Sequence, residues 1–299
     1  MAHDKPPMMR RRLVVQHLRL ADDAVDACSE AVGCAPTLRL PRFATWDDVA
    51  IDGERVTQLA ENLHVDAEMV DAGARLSDYR LLAFDMDSTL ITIECIDEIA
   101  DFAGRKAEVA AITEAAMRGE IADFDESLRR RTELLAGLPE ATLQRVYDER
   151  LRVTPGAETL IAAAKEASLQ VLLVSGGFTF FTERLRDRLD LDFACANTLE
   201  VRDGALTGRV LGEIVNAEGK KLALERTCAA IGCDPRHAIV VGDGANDLKM
   251  MSIAGVSVAY HAKPLVRSET THSINHCFLD AILNWFDDQL PKPAPGSRG

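Results

Sequence analysis

The stretch Leu81-Leu82-Ala83-Phe84-Asp85-Met86-Asp87-Ser88-Thr89 decides how the chain is read. Four consecutive apolar residues stop against a carboxylate, the pattern of a buried parallel strand that delivers a side chain to the carboxyl end of a sheet. Two carboxylates two residues apart at such an end repel each other unless a cation lies between them, and magnesium suits oxygen ligands of this kind.

Working outward, two further apolar runs end in the same way. Val171-Leu172-Leu173-Val174 stops at Ser175-Gly176-Gly177, and Ala238-Ile239-Val240-Val241 stops at Gly242-Asp243-Gly244-Ala245-Asn246-Asp247. Helical patterns such as Ala157–Ala167 and Lys221–Ala230 lie between the runs, so the chain alternates strand and helix. In an open α/β sheet the ends of neighbouring strands converge on one crevice, and a site is expected there. Val256–Ala259 reads as a further strand and Ile282–Phe286 as a closing helix. The segment 193–210 reads as strand, turn and strand around Asp203-Gly204.

Between the first and second strand ends lies an insertion of about residues 93–150, helical almost throughout: Ile96–Phe102, Glu108–Met117, Phe124–Leu135 and Ala141–Val146. Emerging directly after the first strand, it is placed to cover the crevice and exclude water. The first 79 residues read as a strand near Leu13–Gln16, a helix at Asp22–Val32, an apolar stretch at Thr37–Leu40 and a helix at Glu54–Leu63. They carry no catalytic spacing.

Composition bounds the function. The chain has 299 residues with a formal net charge of -14, which argues against a nucleic-acid surface. The basic run Arg10-Arg11-Arg12 is not followed by the long apolar stretch of a signal peptide or membrane helix, so a cytoplasmic, non-membrane protein is expected. Seven Cys without a CxxC pair favour free thiols over a zinc site or disulfides.

Ser175-Gly176-Gly177 offers a hydroxyl and backbone N–H groups as an anion nest. It lacks the Gly-x-Ser-x-Gly elbow, which casts Ser175 as a phosphate donor and not a nucleophile. Lys220 and Lys221 open another helix, and a fixed ammonium beside metal carboxylates and an anion nest suggests phosphate chemistry.

The ordered set Asp85-Met86-Asp87-Ser88-Thr89-Leu90, Ser175-Gly176-Gly177, Lys220 and Gly242-Asp243-Gly244-Ala245-Asn246-Asp247 resembles the four motifs of the haloacid-dehalogenase-like phosphatase superfamily, and within it the phosphoserine phosphatases. The match covers roughly residues 80–290. The resemblance implies a Rossmannoid three-layer α/β core over residues 80–292 with a helical cap at 93–150; residues 1–79, outside the match, read from their own pattern as a small N-terminal α/β domain, and 293–299 as a flexible tail. It also implies Mg2+-dependent hydrolysis of O-phospho-L-serine, the last step of serine biosynthesis.

By that resemblance Asp85 is the nucleophile that forms an aspartyl-phosphate, and Asp87 is the acid and base. Mg2+ would be held by Asp85, the backbone carbonyl of Asp87, Asp243 and Asp247. Ser175, Gly176, Gly177, Lys220 and Asn246 would hold the phosphoryl group. In the cap, Glu94 corresponds to the ammonium-binding position, Arg131 to the carboxylate-binding arginine, and Met117 and Phe124 to pocket walls. The segment Met117–Phe124 is one residue longer than the family pattern. A phosphotransferase with an alcohol acceptor such as homoserine, or a non-catalytic ligand sensor, would share much of this set. The N-terminal domain is read as regulatory or dimerising, with a homodimer as the expected assembly.

Overall fold

The computed structural model describes residues 10–117, 120–121 and 123–291. The chain divides into two packed units. One comprises the chain up to Tyr79, Pro155–Leu169 and the chain from His272 onward; the other comprises Arg80–Thr154 and Gln170–Thr271.

The first unit begins β1 (Arg11–Gln16), α1 (Asp22–Val32), β2 (Leu38–Arg39), β3 (Phe43–Asp47), α2 (Gly53–Leu63) and β4 (Asp66–Asp71). Its antiparallel sheet has the order β2-β3-β1-β4. Leu13, Val15, Ala44 and Trp46 on one sheet face pack against Ala24, Val25, Cys28 and Val56 of the two helices. β3 and β4 are absent from the sequence reading: β3 hides behind Pro41, and β4 is an Asp-Ala-Glu-Met-Val-Asp run at a sheet edge whose acids have low strand propensity.

The second unit opens with β5 (Leu81–Phe84), whose four side chains have no exposed surface. The cap follows as α3 (Cys95–Phe102), α4 (Lys106–Met117), α5 (Phe124–Glu133) and α6 (Ala141–Arg145). After α7 (Ala157–Glu166), which groups with the first unit, come β6 (Gln170–Phe178), α8 (Thr179–Leu189), β7 (Phe193–Arg202) and β8 (Ala205–Leu211). Then follow α9 (Ala217–Ile231), β9 (Ala238–Gly242), α10 (Leu248–Met251), β10 (Val256–Tyr260) and α11 (Pro264–Ser268).

Within this unit the strand order is β10-β9-β5-β6-β7-β8, parallel except for the last pair. β5 sits between β9 and β6, so the three expected strand ends are adjacent. The β7–β8 hairpin turns through Asp203 and Gly204 at φ 52° and 76°, the left-handed pair that a tight two-residue turn requires. The expected closing helix is instead a 3-10 segment at Leu279–Trp285, in the first unit.

Candidate active site

Asp85 leaves β5 with its N–H donating to Val241 O at 2.9 Å, which fixes its height against β9. The chain then turns tightly through Met86–Leu90, closed by Leu90 N–H to Asp85 O at 3.2 Å, with Ser88 at φ 55°. This turn aims both aspartates into a cavity of about 630 Å³ walled by the strand ends and the cap.

Lys220 is the fixed charge of the site. Asn216 caps α9 through its side-chain oxygen, and the helix then presents Lys220, Ala223, Leu224, Thr227 and Cys228 on its buried face. Lys220 is 1% exposed, and its Nζ lies 2.7 Å from both Asp85 Oδ1 and Asp247 Oδ1. Burial opposes its charge, yet Asp247 and Asp85 together hold it above the usual lysine value. Lys221, by contrast, is half-buried and pairs with Glu225 one turn on at 3.8 Å.

Asp85 itself is pushed well above the usual carboxylate range, by burial first and then by the charge of Asp247, against the pull of Lys220. Asp243 rises to about 6 for the same reasons, opposed by a hydrogen bond from Thr89 Oγ1 at 3.1 Å. Carboxylate oxygens of Asp85, Asp243 and Asp247 all lie within 4.8 Å of one another. Three carboxylates facing one ammonium leave an excess of negative charge at one point, and oxygen donors so arranged fit a hard divalent cation.

Asp87 points elsewhere. Its Oδ1 accepts from Cys95 N–H at 2.8 Å at the start of α3, and its Oδ2 accepts from Ser175 Oγ at 3.4 Å. Burial raises its carboxyl, and the hydrogen bonds from Cys95 oppose that rise. Ser175 is fully buried, and its Oγ accepts from Gly177 N–H at 2.8 Å. A Cβ at Gly177 would stand 2.7 Å from Asp87 Oδ2, 2.9 Å from Met86 Cε and 3.0 Å from Ser175 Oγ, so those side-chain ends would have to shift to admit it.

The cap supplies the rest of the wall. Glu94, Phe124 and Arg131 line the cavity with Asp85, Lys220 and Asn246. Glu94 opens onto it, yet the surrounding protein pushes its carboxyl up to about 7, through burial first and then the charge of Asp87. Burial lowers the Arg131 guanidinium, while Asp97 and Glu94 support its charge. Arg129 and Arg130 are exposed, facing Asp125 and Glu126. Phe124 closes over the nest, with its ring at 3.0 Å from where a Gly176 Cβ would be. Met117 ends α4, and its side chain lies outside the described residues.

Sequence reasoning missed Asn197 and the loop after β10. Asn197, 1% exposed in β7, donates to Gly176 O and accepts from Val215 N–H, both at 2.8 Å, and so ties the nest to the approach of α9. Its signal was a strand-averse amide inside an apolar run. His261, Lys263 and Leu265 also line the cavity, and no local pattern marks them.

The model of the haloacid dehalogenase-like hydrolases matches residues 82–252. The chain belongs to the haloacid dehalogenase-like hydrolase family. Within that hydrolase family it is 57% identical over 231 residues to the phosphoserine phosphatase of Polaromonas sp., across 76% of this chain and 97% of that protein. Its fold is similar to the crystal structure of a HAD family hydrolase from Salmonella enterica, with a TM-score of 0.86 at 31% identity, covering 95% of this chain and 100% of the other. It is also similar to a phospho-aspartyl intermediate analogue of a phosphoserine phosphatase, with a TM-score of 0.65 at 39% identity over 70% of this chain and 99% of that one. In this chain the parallel core carries the carboxylates at its strand ends and the helical insertion follows β5. Among the described residues no helix is long and apolar enough to cross a membrane.

Proposed function

We propose that the chain hydrolyses O-phospho-L-serine to L-serine and phosphate with Mg2+ as the divalent cation; its similarity to phosphoserine phosphatases supports the substrate. The observation that carries the proposal is one cavity holding a carboxylate nucleophile paired with a buried lysine, and a glutamate and an arginine on the cap side. Those last two suit the ammonium and the carboxylate of an amino acid.

Asp85 attacks phosphorus, the bond to the serine oxygen breaks, and the phosphoryl group passes to the aspartate carboxylate. Asp87, whose raised carboxyl can hold a proton, gives it to the departing oxygen. Asp87 then takes a proton from a water that attacks the phosphoryl group, which frees phosphate and restores Asp85. Ser175, the Gly176 N–H, Lys220 and Asn246 hold phosphoryl oxygens through this exchange, while the Gly177 N–H serves Ser175 Oγ. Asp85, Asp243, Asp247 and the Asp87 carbonyl would hold Mg2+, which when bound offsets repulsion between the nucleophile and an anionic phosphate. Water is favoured over an alcohol acceptor because the curated relatives are phosphatases.

A phosphate-release assay with Mg2+ across L-phosphoserine, D-phosphoserine, phosphothreonine and sugar phosphates tests the reading. Turnover is expected to be largest with L-phosphoserine, and preference for a sugar phosphate would overturn it. The N-terminal unit is proposed to act in regulation or dimerisation, for which light scattering with and without serine is the check.

A further inference from the structure

The turn after β5 and the start of α3 are tied by contacts that the proposed chemistry leaves unused. Ser88 N–H donates to Ile93 O at 3.2 Å, and Ser88 Oγ donates to Glu94 Oε1 at 2.6 Å. Ser88 holds φ 55°, ψ 4°, a left-handed conformation that costs a non-glycine residue about 1–2 kcal/mol. Strain of this kind persists only where the surroundings fix it, and it gathers at functional sites. At this φ the hydroxyl reaches Glu94, six residues on, across the closed loop. Glu94 has no helix-capping contact of its own: it precedes α3 with extended backbone and no side-chain cap bond.

We infer that Ser88 is a specificity-determining positioning residue, which holds Glu94 in the rotamer that meets the ammonium of the substrate. The inference rests on the proposed role of Glu94. With Oε1 held by Ser88, Oε2 is the oxygen that would meet the ammonium, and the bond favours the ionised carboxylate that an ammonium needs. Without the hydroxyl, the carboxylate regains its rotamers and must be ordered again at each binding event. The loss therefore falls on recognition of the ammonium and not on phosphoryl transfer at Asp85.

Two variants separate the hydroxyl from the backbone. Ser88→Ala removes the donor and keeps the strain, whereas Ser88→Gly removes the donor and relieves it. Each is assayed with Mg2+ on O-phospho-L-serine and on 3-phosphonooxypropanoate, the same phosphomonoester without the ammonium. KM for phosphoserine is expected to rise about 10-fold in both variants with kcat within two-fold. KM for the deamino compound should stay within two-fold. In a Glu94→Ala background, adding Ser88→Gly should change phosphoserine KM by less than two-fold, because nothing is left to position.

Equal losses on both substrates, unchanged phosphoserine KM, or an undiminished Ser88 effect in the Glu94→Ala background would each overturn the inference. Glu94→Ala alone reads the underlying assignment. If it raises phosphoserine KM while the Ser88 variants do not, only the positioning role falls. If it changes nothing, the ammonium site is wrong and the positioning role falls with it.

Discussion

At the scale of single residues, the site works by forcing charges into places water would otherwise serve. Glu94, raised to about 7 by burial and then by Asp87, must lose its proton to attract an ammonium. Affinity of the free enzyme for phosphoserine should thus improve as pH rises through about 7, a limb missing from the profile of a substrate without an ammonium and from that of Glu94→Gln. Binding titrations at pH 6 and 8 check this; the same pH dependence for both substrates would refute it. Gly177 sets a second constraint, because any Cβ there collides with Asp87 Oδ2 at 2.7 Å. Gly177→Ala should retain its far-ultraviolet circular dichroism and lose about 100-fold in kcat, since misplacing a reacting group by an ångström has that effect. Near-normal turnover would show that Asp87 has room to move.

At the scale of elements, the adjacency of β6, β5 and β9 does most of the assembly, and this was legible because both-face burial writes strands as unbroken apolar runs. The choice of Lys220 over Lys221 rested on the family pattern, and α9 itself places Lys220 in line with the buried Ala223, Leu224, Thr227 and Cys228. β3 and β4 were not legible, since short or acidic strands take their identity from neighbours. The contributions of Asn197, His261 and Lys263 were illegible for a related reason: they join the site only through tertiary packing, from elements without a motif. α9 also carries an element-scale prediction. Lys220→Met would leave Asp85 and Asp247 buried without their cation, and should destabilise the metal-free protein by about 3–5 kcal/mol, read by urea unfolding. A loss below 1 kcal/mol would mean that the pair is not what holds α9 against the strand ends.

At the scale of the molecule, a net charge of -14 sits on a protein whose proposed substrate is an anion, so recognition depends on where Lys220, Arg131 and a bound cation are placed. The carboxylate cluster also bears on global stability. Asp243 is raised from 3.8 to about 6 in the fold, so its contribution is fully present below the unfolded value and is lost as pH rises through about 6. Without metal, the melting temperature should therefore fall between pH 4 and 6 by more in the parent than in Asp243→Asn. Mg2+ should raise the melting temperature more at pH 7.5 than at pH 5.5, as a cation competes with protons for the carboxylates. A pH-independent Mg2+ shift would place the ion elsewhere. Whether Asp85 carries the phosphoryl group is read by acid-quenching the protein during turnover of phosphoserine with Mg2+ and locating the adduct by peptide mass. A phosphoryl group is expected on the peptide spanning Leu81–Leu90, absent together with phosphate release in Asp85→Asn. Undiminished phosphate release in that variant, or an adduct on another residue, would contradict it.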